Sequence, residues 1–290
     1  MTQHAVQEPM SPRPIPGTDL QLHQVPSASD NLIWLVSAPN GDAFAVDGPT
    51  VREVDLYCEA HGLRLVGLLN THIHGDHIGI NHALEKAGRL KSLMVVGAKK
   101  TAEAIPGLTH AVDDGDRIEI LGTMVDVMLT EGHINGHISY LVGGALFCGD
   151  TLFGGGCGYL FDGPPDKMHA SLQRLAALPA ETLVCCAHEY TEDNMRFAWW
   201  LGADSPELTS RIKQVAEVRR RGASTLPSTI GLECATNPFI RAFDEDVIAA
   251  CSSHANKDVE AGASTFALAR ALKDKKAYRS TPRPDYPGEA

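Results

Sequence analysis

The stretch THIHGDH at residues 71–77 constrains this chain most, because it places three histidines and an aspartate within seven residues. It follows the apolar run LRLVGLLN, which is typical of a strand buried on both faces, so we expect it in the loop at that strand's carboxyl end. Imidazoles and carboxylates bind divalent zinc, iron and manganese. In such a loop His72 and His74 would face one side, and Asp76 and His77 another. One tetrahedral metal cannot use all four side chains, whereas two metals could share them.

Further candidate ligands follow other apolar runs in the chain. VDVMLTEGH ends at His133, ALFCGD ends at Asp150, and TLVCCAH ends at His188. Because buried strands present their functional groups at their carboxyl ends, we expect these side chains to meet the first cluster and form a binuclear metal site. His137 lies four positions beyond His133 and is expected to hydrogen-bond the backbone or a metal ligand.

The order of apolar runs predicts an α/β protein with two unequal domains after a short extension. Residues 1–19 contain four prolines and are expected to form a loose N-terminal extension. Residues 20–190 alternate short apolar runs with turn residues and helices, which indicates an α/β metal-binding domain. Residues 191–290 are mostly helical in pattern; SPELTSRIKQVAEVRRRG, for example, starts with an N-cap at Ser205. We expect them to form a smaller all-α domain.

Composition excludes several classes of function. The net charge of -11 argues against a nucleic-acid partner, which normally requires a basic face. No apolar run approaches the roughly 18 residues that a membrane helix requires, and the first residues do not resemble a leader peptide. The seven cysteines lack paired metal-type spacing and are expected to be reduced. We therefore expect a cytoplasmic protein, and a monomer.

The motif T-H-x-H-x-D-H, with the later His133, Asp150 and His188, resembles the metallo-β-lactamase superfamily. Further blocks are similar to glyoxalase II, the hydroxyacylglutathione hydrolases. These blocks are GDTLFGGGCG, CCAHEYTEDNMRFA, NPFIR and RALKD. The resemblance runs from about residue 20 to the end of the chain. It implies an αββα sandwich followed by a helical domain that completes the substrate site.

The resemblance also implies a ligand set and a substrate. One metal would take His72, His74 and His133, the other would take Asp76, His77 and His188, and Asp150 would bridge the two. Zinc is expected at both positions, with iron or manganese as alternatives. Arg270 and Lys273 would hold the glycine carboxylate of glutathione, and the Tyr190 hydroxyl would contact its backbone.

The chemistry of such a site agrees with thioester hydrolysis. A metal-bridging hydroxide would be available at neutral pH and would attack the thioester, while the metals would stabilise the charge that develops on the carbonyl oxygen. Asp76 and Asp150 would orient the site, and either could receive a proton. The implied reaction converts S-lactoylglutathione, or another S-2-hydroxyacylglutathione, to lactate and glutathione in methylglyoxal detoxification.

Three positions depart from the family pattern. Tyr159 stands where a basic residue is usual, Phe161 where some members have tyrosine, and Glu131 where proline is more common. Tyr159 and Phe161 are still expected to contact the substrate, with an altered affinity for glutathione or for the acyl group. From composition alone the basic segment RALKDKKAYR would be a solvated helix end. With the resemblance, Arg270 and Lys273 become binding residues, while Lys275, Lys276 and Arg279 are expected to be solvated.

Other functions stay open at this point. A persulfide dioxygenase of the same superfamily would hold one iron, but would not be expected to carry NPFIR and RALKD. A lactonase or β-lactamase would leave the helical domain unexplained. A purely structural metal site would be expected to be a closed, cysteine-rich tetrahedron rather than an open site with oxygen ligands.

Overall fold

The computed structural model describes residues 4–289, and two β-sheets form its centre. The first sheet has seven strands in the order of the chain: β1 (Arg13–Pro14), β2 (Gln21–Ser27), β3 (Asn31–Ser37), β4 (Asp42–Val46), β5 (Arg64–Leu69), β6 (Met94–Ala98) and β7 (His110–Val112). The second sheet contains β8 (Arg117–Ile120), β9 (Thr123–Leu129), β10 (Ile138–Val142), β11 (Ala145–Gly149), β14 (Leu183–Cys186) and β15 (Ser228–Thr229). Strands β12 (Leu152–Phe153) and β13 (Gly156–Cys157) form a separate two-stranded ribbon.

Helices cover both sheets and form most of the last hundred residues. They are α1 (Arg52–His61), α2 (Gly75–Lys86), α3 (Pro165–Ala176), α4 (Thr191–Leu201), α5 (Pro206–Arg220), α6 (Ile230–Thr236), α7 (Glu245–Ala255), α8 (Ala263–Asp274) and α9 (Ala277–Ser280). Short 3₁₀ turns occupy Leu90–Ser92, Lys99–Ala104 and Pro287–Glu289. Over the part of the chain that the structure describes, no helix is long and apolar enough to cross a membrane.

Strand β3 explains the layering, because every one of its residues is buried. Successive side chains point to opposite faces of a strand. Trp34 packs into the core between the two sheets, while Ile33 and Leu35 pack into a second core under α1 and α2. Met168 of α3 joins the core between the sheets from the other side. The αββα sandwich expected from the sequence is therefore confirmed.

Local sequence signals for helix ends are also confirmed. Gly62 ends α1 in the left-handed conformation with φ of 65°, which glycine adopts without a steric penalty. Ser205 caps α5, because its side chain accepts a hydrogen bond from the Leu208 amide, and Pro206 takes the first helical position.

The N-terminal segment is not a loose extension over its described residues, 4–19, so that prediction is wrong there. Val6 and Ile15 are buried, and β1 pairs with β2. The Gln7 amide donates to the Gly222 carbonyl at 2.8 Å. The prolines suggested a flexible tail, but Val6 and Ile15 bury their side chains, and the backbone hydrogen bond of Gln7 ties the segment to the end of α5.

A second difference concerns the helical half, where the strands were expected to stop after His188. Ser228 and Thr229 form β15, which adds an edge strand to the second sheet by pairing with β14. Two residues are too few to leave a periodic pattern. The boundary near residue 190 stays a prediction.

Candidate metal centre and adjoining pocket

The seven predicted ligands lie together at the carboxyl-end edge of the two sheets. His72 follows β5, His133 lies in the connection from β9 to β10, Asp150 follows β11, and His188 follows β14. The local structure differs from the expected turn, because His74 is the N-cap residue of α2, and Asp76 and His77 are in its first turn. The helix, rather than alternation along a loop, separates the two pairs of side chains.

One group of ligands consists of three imidazoles. The His74 Nδ1 atom lies 3.0 Å from His72 Nε2 and 3.0 Å from His133 Nε2. Burial lowers the pKa of His72, and the neighbouring imidazoles lower it further. His72 is therefore neutral, which is the form that binds a metal.

The second group joins Asp76, His77 and His188. The Asp76 Oδ2 atom lies 3.6 Å from His77 Nε2 and 3.4 Å from His188 Nε2. These ligand atoms are near enough to one another to coordinate a single ion, as are those of the three-histidine group.

Asp150 lies between the two groups. Its Oδ1 atom is 3.4 Å from His77 Nε2 and 3.5 Å from His188 Nε2, and its Oδ2 atom is 3.5 Å from His133 Nε2. Burial by itself would raise the pKa of Asp150, but His77 and His188 outweigh burial and hold the pKa well below its ordinary value. Asp150 is therefore an ionised carboxylate with one oxygen toward each group.

Two buried polar atoms without a hydrogen-bond partner among the described residues indicate that this set of side chains fits a metal. His77 Nε2 and Asp150 Oδ1 are shielded from solvent and have no hydrogen-bond partner within residues 4–289. Buried polar atoms are rarely left unpaired, and both of these face the centre of the site. A divalent cation between them would satisfy both, so the ligand set fits a metal. The chain therefore has a divalent-metal site built from His and Asp clusters.

Two aspartates that the sequence analysis did not identify orient the imidazoles. Asp30 Oδ1 lies 2.8 Å from His188 Nδ1, and Asp47 Oδ2 lies 2.9 Å from His77 Nδ1. Asp47 is also near enough to His72 and His77 to be a ligand. Its oxygens, however, already accept hydrogen bonds from the amide and hydroxyl of Thr71, at 2.8 and 2.6 Å. We therefore assign Asp47 to positioning His77.

His137 contacts the site from behind, as expected. The Asp150 amide donates a hydrogen bond to His137 Nε2 at 3.2 Å, which holds the backbone of this candidate ligand. His137 is therefore assigned to supporting a candidate ligand.

Glu131, one of the three departures, holds the loop that carries His133. Its Oε1 atom accepts hydrogen bonds from the Gly136 amide at 2.6 Å and from Lys100 Nζ at 2.5 Å. Lys167 Nζ lies 3.2 Å from the other oxygen. This carboxylate thus connects the His133 loop to Lys100 and Lys167.

A cavity of about 610 Å³ opens over the metal ligands. All five predicted substrate-binding residues line it: Tyr159, Phe161, Tyr190, Arg270 and Lys273. Tyr190 stacks on His188 with ring centroids 4.8 Å apart. Phe161 lies at the mouth with 65% of its surface exposed and contacts His74 and His133 edge-on. Lys276 and Arg279, which were expected to be solvated, also line this cavity.

Arg270 and Lys273 are buried on the helical side of the cavity. Arg270 donates to Asp274 at 2.6 Å and to the Cys157 carbonyl at 2.9 Å. Lys273 Nζ donates to the Asn194 side-chain oxygen and lies 3.7 Å from Asp193. Burial lowers the pKa of Lys273 to about 7, although the charge of Asp193 opposes this shift. Both side chains keep further N–H donors for an anion in the cavity.

Comparisons with known proteins agree with this architecture. Residues 48–188 match the family model described as the metallo-beta-lactamase superfamily, and residues 189–276 match that described as hydroxyacylglutathione hydrolase C-terminus. The hydroxyacylglutathione hydrolases of Pseudomonas fluorescens (strain SBW25) and Synechococcus sp. (strain JA-2-3B'a(2-13)) are each 41% identical to this chain over 258 residues, which cover 88% of this chain and 99% of each relative.

Solved structures match in fold. The crystal structure of ETHE1 from Myxococcus xanthus superposes with a TM-score of 0.59 at 23% identity, covering 91% of this chain and 93% of that one. The BLEG-1 B3 metallo-beta-lactamase gives a TM-score of 0.56 at 21% identity, covering 76% of this chain and 99% of that one. These likenesses bear on the fold, whereas the curated relatives bear on the family.

Proposed function

The chain belongs to the hydroxyacylglutathione hydrolase family, and on that premise we propose that it hydrolyses S-lactoylglutathione, or another S-2-hydroxyacylglutathione, to the hydroxy acid and glutathione. One observation carries the proposal: a single cavity joins five candidate metal ligands to buried cations from the helical half. The ligands that line it are His74, Asp76, His133, Asp150 and His188. A metal site suits activation of water, and cations at one end suit a substrate that bears carboxylates.

We propose that two divalent ions bind, one at His72, His74 and His133, the other at Asp76, His77 and His188, with Asp150 shared. The charge of the site supports two ions. Four carboxylates (Asp30, Asp47, Asp76 and Asp150) lie among the ligating imidazoles, and two divalent cations balance them. Zinc is proposed at both positions, with iron or manganese as alternatives, because all three accept His and Asp ligands.

The reaction adds water across the acyl–sulfur bond. When bound, the ions lower the pKa of water and polarise the thioester carbonyl. Asp150 and Asp76 hold the reacting groups in place, and either carboxylate can accept the proton that water loses. That proton is finally transferred to the sulfur when the carbon–sulfur bond breaks, which leaves a carboxylic acid and a thiol.

Residues of the cavity wall would bind the glutathionyl group. Arg270 and Lys273 are proposed to hold its glycine carboxylate with their remaining donors. Burial raises the pKa of Tyr190, and Asp30 and Asp150 raise it further, so its hydroxyl stays protonated and can donate to the peptide backbone of the substrate. Tyr159 and Phe161 provide an apolar wall beside the acyl group.

The proposal is tested by measuring metal content per chain together with the loss of thioester absorbance from S-lactoylglutathione. The wild type should bind close to two metals and hydrolyse the thioester. Asp150→Ala should lose metal and at least a thousandfold in kcat/KM, whereas the exposed Asp166→Ala should behave as the wild type. About one iron per chain, oxygen consumption with a persulfide substrate and no hydrolysis would replace this proposal with the dioxygenase.

We also propose a cytoplasmic location. All seven cysteines lie in the described residues and none is in a disulfide, which suits a reducing compartment. The expected monomer stays a prediction, to be checked by light scattering.

A further inference from the structure

The cation-rich wall of the cavity is built by the end of α8 and the start of α9. Arg270, Lys273, Lys276 and Arg279 all face the cavity from this corner. Three of them have an anionic or amide partner. Arg270 pairs with Asp274 at 2.6 Å, Arg279 pairs with Asp193 at 2.9 Å, and Lys273 bonds to Asn194. Lys276 has no ion pair or side-chain hydrogen bond to any residue from 4 to 289.

The backbone at Lys276 directs this unpaired side chain into the cavity. Lys276 has φ of 54° and ψ of 21°, the left-handed conformation, which residues with a Cβ atom adopt rarely. Two backbone hydrogen bonds hold it there: its amide donates to the Lys273 carbonyl, and its carbonyl accepts from the Arg279 amide, both at 3.0 Å. The adjacent Lys275 has helical φ and ψ and does not line the cavity.

Tyr159 lies near the ammonium group of Lys276 in the wall of the cavity. The Lys276 Nζ atom lies 5.9 Å from the centroid of the Tyr159 ring, at the outer limit of a cation–π contact. Arg270 approaches the same ring at 5.1 Å. Such a contact attracts the ammonium group but uses none of its three N–H donors, which stay available to an anion.

We propose that Lys276 binds a carboxylate of the glutathionyl group and that the ring of Tyr159 positions it. This inference rests on the proposed function. Glutathione carries two carboxylates, and Arg270 and Lys273 are proposed to take one of them. Among the four cations of this wall, Lys276 is the one without an ion pair or a side-chain hydrogen bond to the described residues. A cation presented from the helical half thus stands beside Tyr159, where the sequence lacks the expected basic side chain.

The test compares the affinity for glutathione of Lys276→Ala with that of Lys275→Ala, using titration calorimetry on the metal-loaded protein. Lys275 is the matched control because it has the same charge, is exposed, and lies one residue away outside the cavity. Lys276→Ala should raise Kd about tenfold, since hydrogen bonds between charged groups are the strong ones. Lys275→Ala should leave Kd unchanged, and Lys276→Arg should restore most of the affinity. In hydrolysis, Lys276→Ala should raise KM and leave kcat within about twofold, as for a contact remote from the reacting bond.

The role of Tyr159 has its own readout. Tyr159→Leu removes the ring and should weaken glutathione binding, whereas Tyr159→Phe keeps the ring and should retain more of the affinity than Tyr159→Leu does. In a Lys276→Ala background the effect of Tyr159→Leu should shrink, because the two side chains act together. Additive effects would overturn the positioning role of Tyr159.

Glutathione affinity tests the role of Lys276, whereas thioester hydrolysis tests the proposed reaction, so the two can fail separately. Equal Kd values for Lys276→Ala and Lys275→Ala, or a wild type that does not bind glutathione, overturn the role of Lys276 whatever the hydrolysis assay gives. A wild type that binds glutathione through Lys276 but does not cleave the thioester overturns the proposed reaction and keeps the binding residue.

Discussion

Asp47 shows how one side chain fixes the orientation of a candidate metal ligand, His77. Its carboxylate accepts hydrogen bonds from the amide and hydroxyl of Thr71, which follows β5, and contacts the ring of His77 in α2. A carboxylate that holds the far nitrogen of a ligating imidazole fixes the ring's tautomer and makes the ligand more basic. Orientation and basicity at His77 thus depend on a residue that does not ligate.

We predict that Asp47→Asn lowers metal affinity by about 10- to 100-fold, because an amide cannot match the charge that holds His77. Chelator competition would measure the affinity. Asp42→Asn, at the start of the strand that precedes Asp47, is the control and should bind metal as the wild type does, because Asp42 pairs with the exposed Arg64 at 2.6 Å. Unchanged affinity in Asp47→Asn would remove this residue from the metal centre.

The lowered pKa of Lys273 leads us to predict that ligand binding depends on pH. Its pKa is lowered to about 7 by burial, and a carboxylate is bound by the protonated form. The groups that face it do not change their charge near neutral pH. The pKa values of Arg270 and Arg279 are raised, so both stay charged, and burial raises the pKa of Cys157 and of Tyr278, so both stay protonated. Affinity should therefore be constant below the pKa of Lys273 and fall as the pH rises through it.

The measurement uses S-methylglutathione, which has no thiol to titrate, between about pH 6 and pH 9. Binding by the wild type should weaken about tenfold across this range, and Lys273→Arg should bind with little pH dependence because guanidinium stays protonated. A wild-type affinity that is flat over the range would show that Lys273 does not bind the ligand.

Among the secondary-structure elements, helix α2 carries two candidate metal ligands and packs closely against the loop after β4. A Cβ atom at Gly79 would lie 2.0 Å from the Pro49 carbonyl oxygen. The Ile80 amide donates to the Gly48 carbonyl at 3.0 Å, which ties the helix to the same loop. The packing distance of this helix therefore sets where Asp76 and His77 lie.

We predict that Gly79→Ala lowers the free energy of unfolding by about 1–3 kcal/mol, because the helix must move away from Pro49. Gly75→Ala in the same helix is the matched control for stability. A Cβ atom there meets nothing within 4 Å, and alanine favours a helix over glycine by somewhat under 1 kcal/mol. Urea unfolding of the two variants checks the contrast, and equal stability would contradict it.

At the scale of the whole molecule, Glu233 connects the helical half to the loop beside the metal ligands. Its side chain is fully buried, pairs with the buried Arg211 and accepts a hydrogen bond from Ser228 at 2.5 Å. It also accepts from the Gly155 amide at 2.7 Å. One carboxylate thus links α5, α6, β15 and the segment between β12 and β13.

We predict that Glu233→Ala destabilises the fold by about 3–5 kcal/mol, because Arg211 would keep a buried charge without its partner. Urea unfolding followed by circular dichroism gives the value. Asp55→Ala, which breaks the exposed pair of Asp55 with Arg89, should cost about 0–1 kcal/mol. A comparable loss in both variants would mean that the buried pair adds nothing beyond a surface one.

The kind of fold and the identity of the candidate ligands could be predicted from the sequence. His133, Asp150 and His188 each follow an apolar run, and carboxyl ends of buried strands meet at one edge of a sheet, so local pattern was enough. Helix α2 was not predicted from the sequence. The ligand motif forms its N-cap and first turn, and the polar side chains of the motif interrupt the apolar spacing that would mark the start of a helix. The domain boundary stays a prediction.

The residues that support those ligands, and the cations that reach the cavity, could be identified only from the folded chain. Asp30 and Asp47 contact imidazoles 158 and 30 positions away in the chain, and such pairs have no periodic signature. The N-terminal segment is hydrogen-bonded to a helix end that lies far along the chain. Lys276 and Lys275 are the same amino acid, and the left-handed backbone at one of them, set by the packing of α8 and α9, separates a cavity residue from a solvated one.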